Sequence, residues 1–231
     1  MKKILYSVLA ALVLLSVGAC GDDEYTDSRI TNYVTINLKG GSVYTVSVGS
    51  SYTDPGFTAL EGTTDVTDKV KVEGEVDATK VGVYPVTYSA ANTDGFSKSV
   101  TRTVIVYNSA ITTDLSGTYV LQEGSYRLRR GTQTPYSGYK IEISKAADGV
   151  FHISDFLGGY YDQRSGYGAA YALTGYFSLN ADNSLTALSS FLSGWGDSLD
   201  DGFSGTYTPQ TGVISYMAPY AGMEFHVILK K

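Results

Sequence analysis

The stretch VGVYPVTYSAANTDGFSKSVTRTVIVY, residues 81–107, consists of two alternating runs with a turn between them. Tyr84, Val86 and Tyr88 fall on every second position of the first run, and Val104 and Val106 do the same in the second. Successive side chains on a strand point to opposite faces, so this spacing gives one apolar face to a sheet. A helix would need spacings of three and four. Asp94-Gly95 supplies the residue types that accept the backbone angles of a tight turn.

The same period-two pattern continues upstream in Tyr33–Leu38, Val43–Val48 and Val70–Val76, each bounded by Gly, Asn or Asp. Five to seven short strands within residues 30–108 describe a β-sandwich. Composition agrees. Twenty tyrosines and 26 glycines in 231 residues, with many Thr, Val and Ser, suit pleated half-buried surfaces joined by tight turns. Residues 109–114 form a short polar connector, expected to allow only modest flexibility.

The run YTDPGFTALEG at 52–62, the series Gly82-x-Tyr84-x-Val86-x-Tyr88, the Asp94-Gly95 turn and the closing Thr101-x-Thr103-Val104-x-Val106 resemble the bacterial Ig-like domain of surface and crystal-toxin proteins. The resemblance covers nearly the whole module. It implies an Ig-like sandwich acting as spacer or adhesive, with no chemistry of its own. Asp54 and Gly56 are read as turn formers.

Residues 115–231 contain eight candidate strands: 117–122, 139–144, 150–154, 171–179, 184–190, 203–208, 213–217 and 223–229. Sequential antiparallel strands in that number suit a meander closing as a small barrel or flattened sandwich, so the whole chain is expected to be all-β. Leu115-Ser116-Gly117-Thr118-Tyr119 is echoed by Phe203-Ser204-Gly205-Thr206-Tyr207, which predicts two strands that begin alike. The layout loosely resembles the lipocalin or calycin class. It more closely resembles the uncharacterised C-terminal domains that follow Ig-like modules in Bacteroidetes lipoproteins, and that resemblance implies no activity.

The N-terminus reads MKKILYSVLAALVLLSVGAC. Lys2 and Lys3 precede an apolar run too short to span a membrane, which predicts a lipoprotein signal over residues 1–19 with Cys20 as the lipidation site. Cys20 is the only cysteine, so its acylation leaves no thiol for a disulfide or a metal. Residues 20–29 read as an acidic tether. Its Gly21-Asp22-Asp23-Glu24 resembles a Bacteroidetes surface-export signal and implies an outer-membrane anchor facing outward, with the periplasmic face as the alternative.

Removing residues 1–19 takes away two lysines and moves the formal charge from −6 to −8. A net-negative chain without a basic run argues against nucleic acid as a partner. Arg127, Arg129 and Arg130 form the one local cluster, read as a solvated strand face. The two histidines, His152 and His226, each sit in an alternating pattern and are read as strand residues, so neither a metal nor another cofactor is expected. No catalytic motif appears. Asp155, Asp162, Asp197, Asp200 and Asp201 lie near aromatic residues, but most fall in Gly-rich segments where turns favour Asp.

Aromatic density in Gly-rich segments is the most unusual feature: GGYYDQRSGYGAAYALTGY at 158–176, FLSGWGD at 191–197 and YMAPY at 216–220. Tyr and Trp present large rigid area with a polar tip, suited to stacking on ligands. Tyr160, Tyr161, Asp162, Tyr167, Trp195 and Tyr220 are therefore the candidate ligand-binding residues, with core filling as the competing role. The expectation is a non-enzymatic surface lipoprotein whose second module binds a glycan or other extracellular ligand. An accessory subunit docking on another envelope protein is the alternative, and a hydrolase the third.

Overall fold

The computed structural model describes residues 30–231, so the signal, Cys20 and the acidic tether lie outside the described residues. The first module has seven strands: β1 (Val34–Leu38), β2 (Val43–Ser47), β3 (Phe57–Glu61), β4 (Thr64–Asp65), β5 (Lys71–Glu73), β6 (Gly82–Ala91) and β7 (Ser97–Tyr107). One sheet has the order β1-β3-β4; the other runs β2-β7-β6-β5, with β2 parallel to β7 and every other pair antiparallel. β6 and β7 pair from Gly82–Val106 to Ala91–Ser97 as a long hairpin closed by the expected turn. Val34, Ile36, Val46, Ala59, Val86, Tyr88 and Val104 fill the space between the sheets.

Asp54 does more than form a turn. Its Oδ1 accepts the Gly56 N–H at 2.6 Å, and the carboxylate also binds the Tyr88 hydroxyl and the Arg102 guanidinium. Arg102 is fully buried and donates further to the carbonyls of Lys39, Gly41 and Gly56. A cation removed from water is tolerable only when its donors are met, and here backbone carbonyls of the 39–41 and 52–56 segments meet them.

The second module has ten strands: β8 (Gly117–Leu121), β9 (Tyr126–Arg129), β10 (Thr132–Pro135), β11 (Lys140–Ala147), β12 (Val150–Ile153), β13 (Thr174–Leu179), β14 (Ser184–Phe191), β15 (Ser204–Thr208), β16 (Val213–Tyr220) and β17 (Met223–Lys230). From β11 to β17 each strand pairs with the next. β8 then joins β11 on one side and β17 on the other, closing an eight-stranded antiparallel barrel. An eight-stranded barrel is just wide enough for its own side chains. Ile141, Phe151, Ile153, Phe177, Ile214, Tyr216, Phe225 and Val227 fill this one.

The strand read over 171–179 begins at Thr174, because Tyr171 belongs to a short helical turn. The β9–β10 hairpin was not legible in the sequence. Arg, Thr and Gln break any apolar alternation in it, and its two-residue loop, Arg130-Gly131, has positive φ at both positions as type I′ turns demand. β9 continues the line of β8 along β17, so Arg127 pairs with Phe225. Paired residues project to the same side, which turns Arg127 toward the barrel interior and corrects its reading as part of a solvated face; Arg129 is exposed.

The echoed Gly-Thr-Tyr segments open β8 and β15. The connector is not purely polar either, since Ile111 packs on the barrel core against Gly149.

Candidate functional site

The segment between β12 and β13 folds over one end of the barrel, held by Asp155. This buried carboxylate accepts the N–H groups of Leu157 and Leu173 at Oδ1 (2.8 and 2.9 Å) and of Gly159 at Oδ2 (2.8 Å). One side chain thus ties both ends of the loop. Desolvation pushes its pKa up to about 7 against the pull of those three donors. Gly158 and Gly159, at φ 64° and 82°, turn the chain into the single helical turn Tyr160–Arg164.

That turn stacks two tyrosines. Tyr160 points down and is 4% exposed, edge-on to Tyr136 at 5.1 Å and to Phe225 at 5.4 Å. Tyr161 lies above it at 5.0 Å. The turn Leu192–Asp197 brings Trp195 edge-on to both Tyr161 and Tyr171, each at 4.9 Å. Tyr220, at the end of β16, lies nearly parallel to Trp195 at 6.5 Å. Tyr167 closes the group, parallel to Tyr161 at 6.3 Å. Pairs in these geometries each contribute about 0.5–1.5 kcal/mol beyond their buried area.

Five of the six candidates therefore meet at one barrel mouth: Tyr160, Tyr161, Tyr167, Trp195 and Tyr220. They divide by exposure. Tyr167 is 56% and Trp195 44% exposed at the rim, whereas Tyr160 and Tyr220 are buried in the floor. The segment 216–220 is strand rather than loop, and its alternation turns Tyr216 and Tyr220 inward. Asp162 lies beside the cluster, half-buried. Its Oδ2 accepts from Gln163 at 3.3 Å, and its enclosed Oδ1 has no partner among the described residues.

Backbone contacts brace the rim. Gly194 N–H donates to the Ala170 carbonyl at 2.7 Å, Ser193 Oγ donates to the same oxygen at 3.1 Å, and Leu192 N–H donates to the Asp197 carbonyl at 2.8 Å. A Cβ on Gly194 would stand 2.7 Å from the Tyr171 ring, so only glycine lets the two loops close to this distance. The Tyr220 hydroxyl donates to Asp197 Oδ2 at 3.1 Å. Burial and that carboxylate raise the phenol well above its ordinary pKa. Asp200 Oδ2 accepts the Gly222 N–H at 3.0 Å.

The sequence reading missed two residues at the mouth. Tyr171 lies in the quoted aromatic segment and was passed over as strand. Arg127 was assigned to solvent, yet its guanidinium sits 4.8 Å from the Tyr160 ring centre, and that of Arg164 lies at the same distance. Only the β9–β17 register could have revealed Arg127.

The histidines stand apart. His152 Nε2 is 2.8 Å from Thr174 Oγ1, while His226 stacks on Tyr126 at 4.4 Å and reaches Glu224 at 2.9 Å. Among the described residues no three His, Cys, Asp or Glu side chains gather as metal ligands. Asp155 is enclosed, and Asp197 and Asp200 are engaged in holding loops. A separate groove of about 490 Å³ follows β14 where β15 diverges from it, lined by Thr186–Ser190 and Ser198–Phe203.

Residues 108–231 match a family of C-terminal domains, and residues 36–106 match the bacterial surface protein Ig-like domain. Among solved structures, the lipoprotein BT2262 from Bacteroides thetaiotaomicron is 40% identical, the match covering 86% of this chain and 100% of that one at a TM-score of 0.49. A structure of CBM51-2 in complex with GlcNAc and INT domains from Clostridium perfringens ZmpB matches at 17% identity, covering 52% of this chain and 28% of that one. Its TM-score is 0.29. No curated protein matches the chain.

Proposed function

The chain belongs to the family of the Bacteroides lipoprotein BT2262, and from that premise we propose that it is a non-enzymatic surface lipoprotein whose barrel mouth binds a glycan. In this reading Cys20 carries the lipid, residues 20–29 tether the chain to the outer face of the outer membrane, and the Ig-like sandwich spaces the barrel from the bilayer. The relative's nature as a lipoprotein and the bacterial-surface type of the first module support that placement.

The observation that carries the ligand reading is the exposure of Tyr167 and Trp195 above a wholly aromatic floor. Leaving large rings half in water forgoes hydrophobic stabilisation, and a sugar's apolar C–H face recovers it. The bracing of both loops by backbone hydrogen bonds spares the ordering entropy that mobile loops lose on binding. The filled interior supports a rim-binding role over a lipocalin-like cavity, and the engaged aspartates argue against a pair of carboxylates facing across a cleft.

Affinity electrophoresis of the mature chain through polysaccharide gels, together with a glycan array, tests this reading. Retention that is lost in Trp195→Ala and Tyr167→Ala is expected. If no glycan is retained, or if both variants behave as the parent, the reading falls. A stoichiometric protein partner recovered from envelope extracts would then put the docking-subunit alternative in its place.

A further inference from the structure

Two guanidinium groups flank the aromatic mouth without an acidic partner. Arg127 and Arg164 each lie 4.8 Å from the Tyr160 ring. Neither has a carboxylate within ion-pair distance among the described residues, where Lys71, Arg102 and Lys145 are the Lys and Arg side chains so paired. Arg127 is half-buried, and its enclosed Nε has no acceptor. The rest of the group makes a side-chain hydrogen bond with Tyr161 and a long one, 3.5 Å, to Thr134 Oγ1. Five donors in a fixed fork make guanidinium the side chain best matched to a carboxylate, and a cation–π contact replaces only part of the hydration lost.

The opposite flank carries the other sign. Asp197 and Asp200 sit beside Tyr220 and Gly222, accepting the Tyr220 hydroxyl and the Gly222 N–H. Asp162, two positions before Arg164, is held by Gln163 and pairs with neither guanidinium. Two guanidinium groups thus meet one carboxylate beside Tyr160 and Tyr161, whereas the side of Tyr220 carries carboxylates alone. The chain as a whole is net −6, so any acidic polymer it holds must be met by a local cationic patch.

Resting on the glycan reading above, we infer that the ligand is an acidic, uronate-containing polysaccharide whose sugar stacks on Trp195 and Tyr167 while its carboxylate pairs with Arg127 and Arg164. Charge-assisted paired hydrogen bonds of this kind contribute both affinity and orientation.

The test measures binding of the full mature chain to polygalacturonate, alginate, hyaluronan and chondroitin, to methyl-esterified polygalacturonate, and to neutral galactan and mannan. Expected results are binding to at least one uronate polymer, a weakening as salt rises, and loss on methyl esterification. Arg164→Gln and Arg127→Gln should each weaken binding at least about tenfold. Arg164 is exposed, so its variant reports on binding even where Arg127→Gln folds poorly, and Arg164→Lys should recover only part of the loss.

Equal binding to neutral and acidic polymers, with Arg164→Gln unchanged, overturns the acidic ligand while leaving the glycan reading intact. No retention on any polymer removes both.

Discussion

Arg102 and Asp54, 48 positions apart, form an ion pair in which the cation is fully buried and the carboxylate sits at the edge of the core. Burial works against ionisation of Asp54. Hydrogen bonds from Tyr88, Gly56 and Arg102 outweigh it and hold the carboxyl below the usual carboxylate range. The pair stitches β7 to the turn that precedes β3, so the sandwich depends on a polar contact at the margin of its core.

Breaking that contact should unfold the first module selectively. Asp54→Ala leaves a buried guanidinium without its anion and should destabilise the sandwich by about 3–5 kcal/mol. Arg102→Leu removes the charge but leaves three carbonyls and the Tyr88 hydroxyl short of a donor, and should be similarly damaging. Denaturant unfolding followed by two-dimensional NMR would show the sandwich signals shifting to lower midpoint while the barrel signals stay. Because the Asp54 pKa is lowered by folding, the parent's advantage is expected above the usual carboxylate range and should vanish as pH falls through the folded value.

Asp155 predicts the opposite sign in the barrel. Its folded pKa, pushed up to about 7, lies above the ordinary carboxyl value of 3.8, so between those values the folded state holds the extra proton. Barrel stability should therefore decline as pH rises from about 4 to 7 and level off above. His152, whose pKa burial lowers, contributes a rise over part of that range, so the slope is best read as a difference between parent and variant. Asp155→Asn should flatten the decline and lower overall stability, since its amide cannot accept the Gly159 N–H. Thermal unfolding of both proteins from pH 4 to 8 checks this, and parallel pH profiles would refute it.

Gly194 predicts a separation of binding from folding. A Cβ there meets the Tyr171 ring at 2.7 Å and the Ala170 carbonyl at 2.9 Å, so Gly194→Ala must push the two rim loops apart. Overpacking of this kind typically costs about 1–3 kcal/mol. Gel retention on the polysaccharide that the parent binds should fall severalfold while the far-ultraviolet dichroism stays unchanged.

Trp195 is the only tryptophan, which makes its fluorescence a direct report on the rim. At 44% exposure it should be quenched by acrylamide in the free protein and protected by bound ligand. Trp195→Ala removes a half-exposed ring and its edge contacts with Tyr161 and Tyr171, and should cost about 1–3 kcal/mol of barrel stability, leaving the barrel folded, while removing binding. A ligand that binds tightly without altering Trp195 quenching would place the site elsewhere, and the serine-rich groove along β14 would be the next surface to probe.

Local chemistry made much of this protein readable in advance. Alternation at Tyr84, Val86 and Tyr88 and at Val104 and Val106, with Asp94-Gly95 between, sufficed for the β6–β7 hairpin, because side-chain direction on a strand is a property of adjacent residues. The sequential hydrophobic runs after Leu115 likewise specified most of the barrel strands. Only the tertiary structure decided the rest. Whether Tyr160 and Tyr220 form floor while Tyr167 and Trp195 form rim depends on two loops packed by distant contacts such as Gly194 to Ala170. Arg127 turns inward because β9 pairs with β17 in one register, placing it opposite Phe225 almost a hundred positions away. Periodicity is local and survives in the sequence; partners across a closed sheet are set by register and closure, which no short window of residues contains.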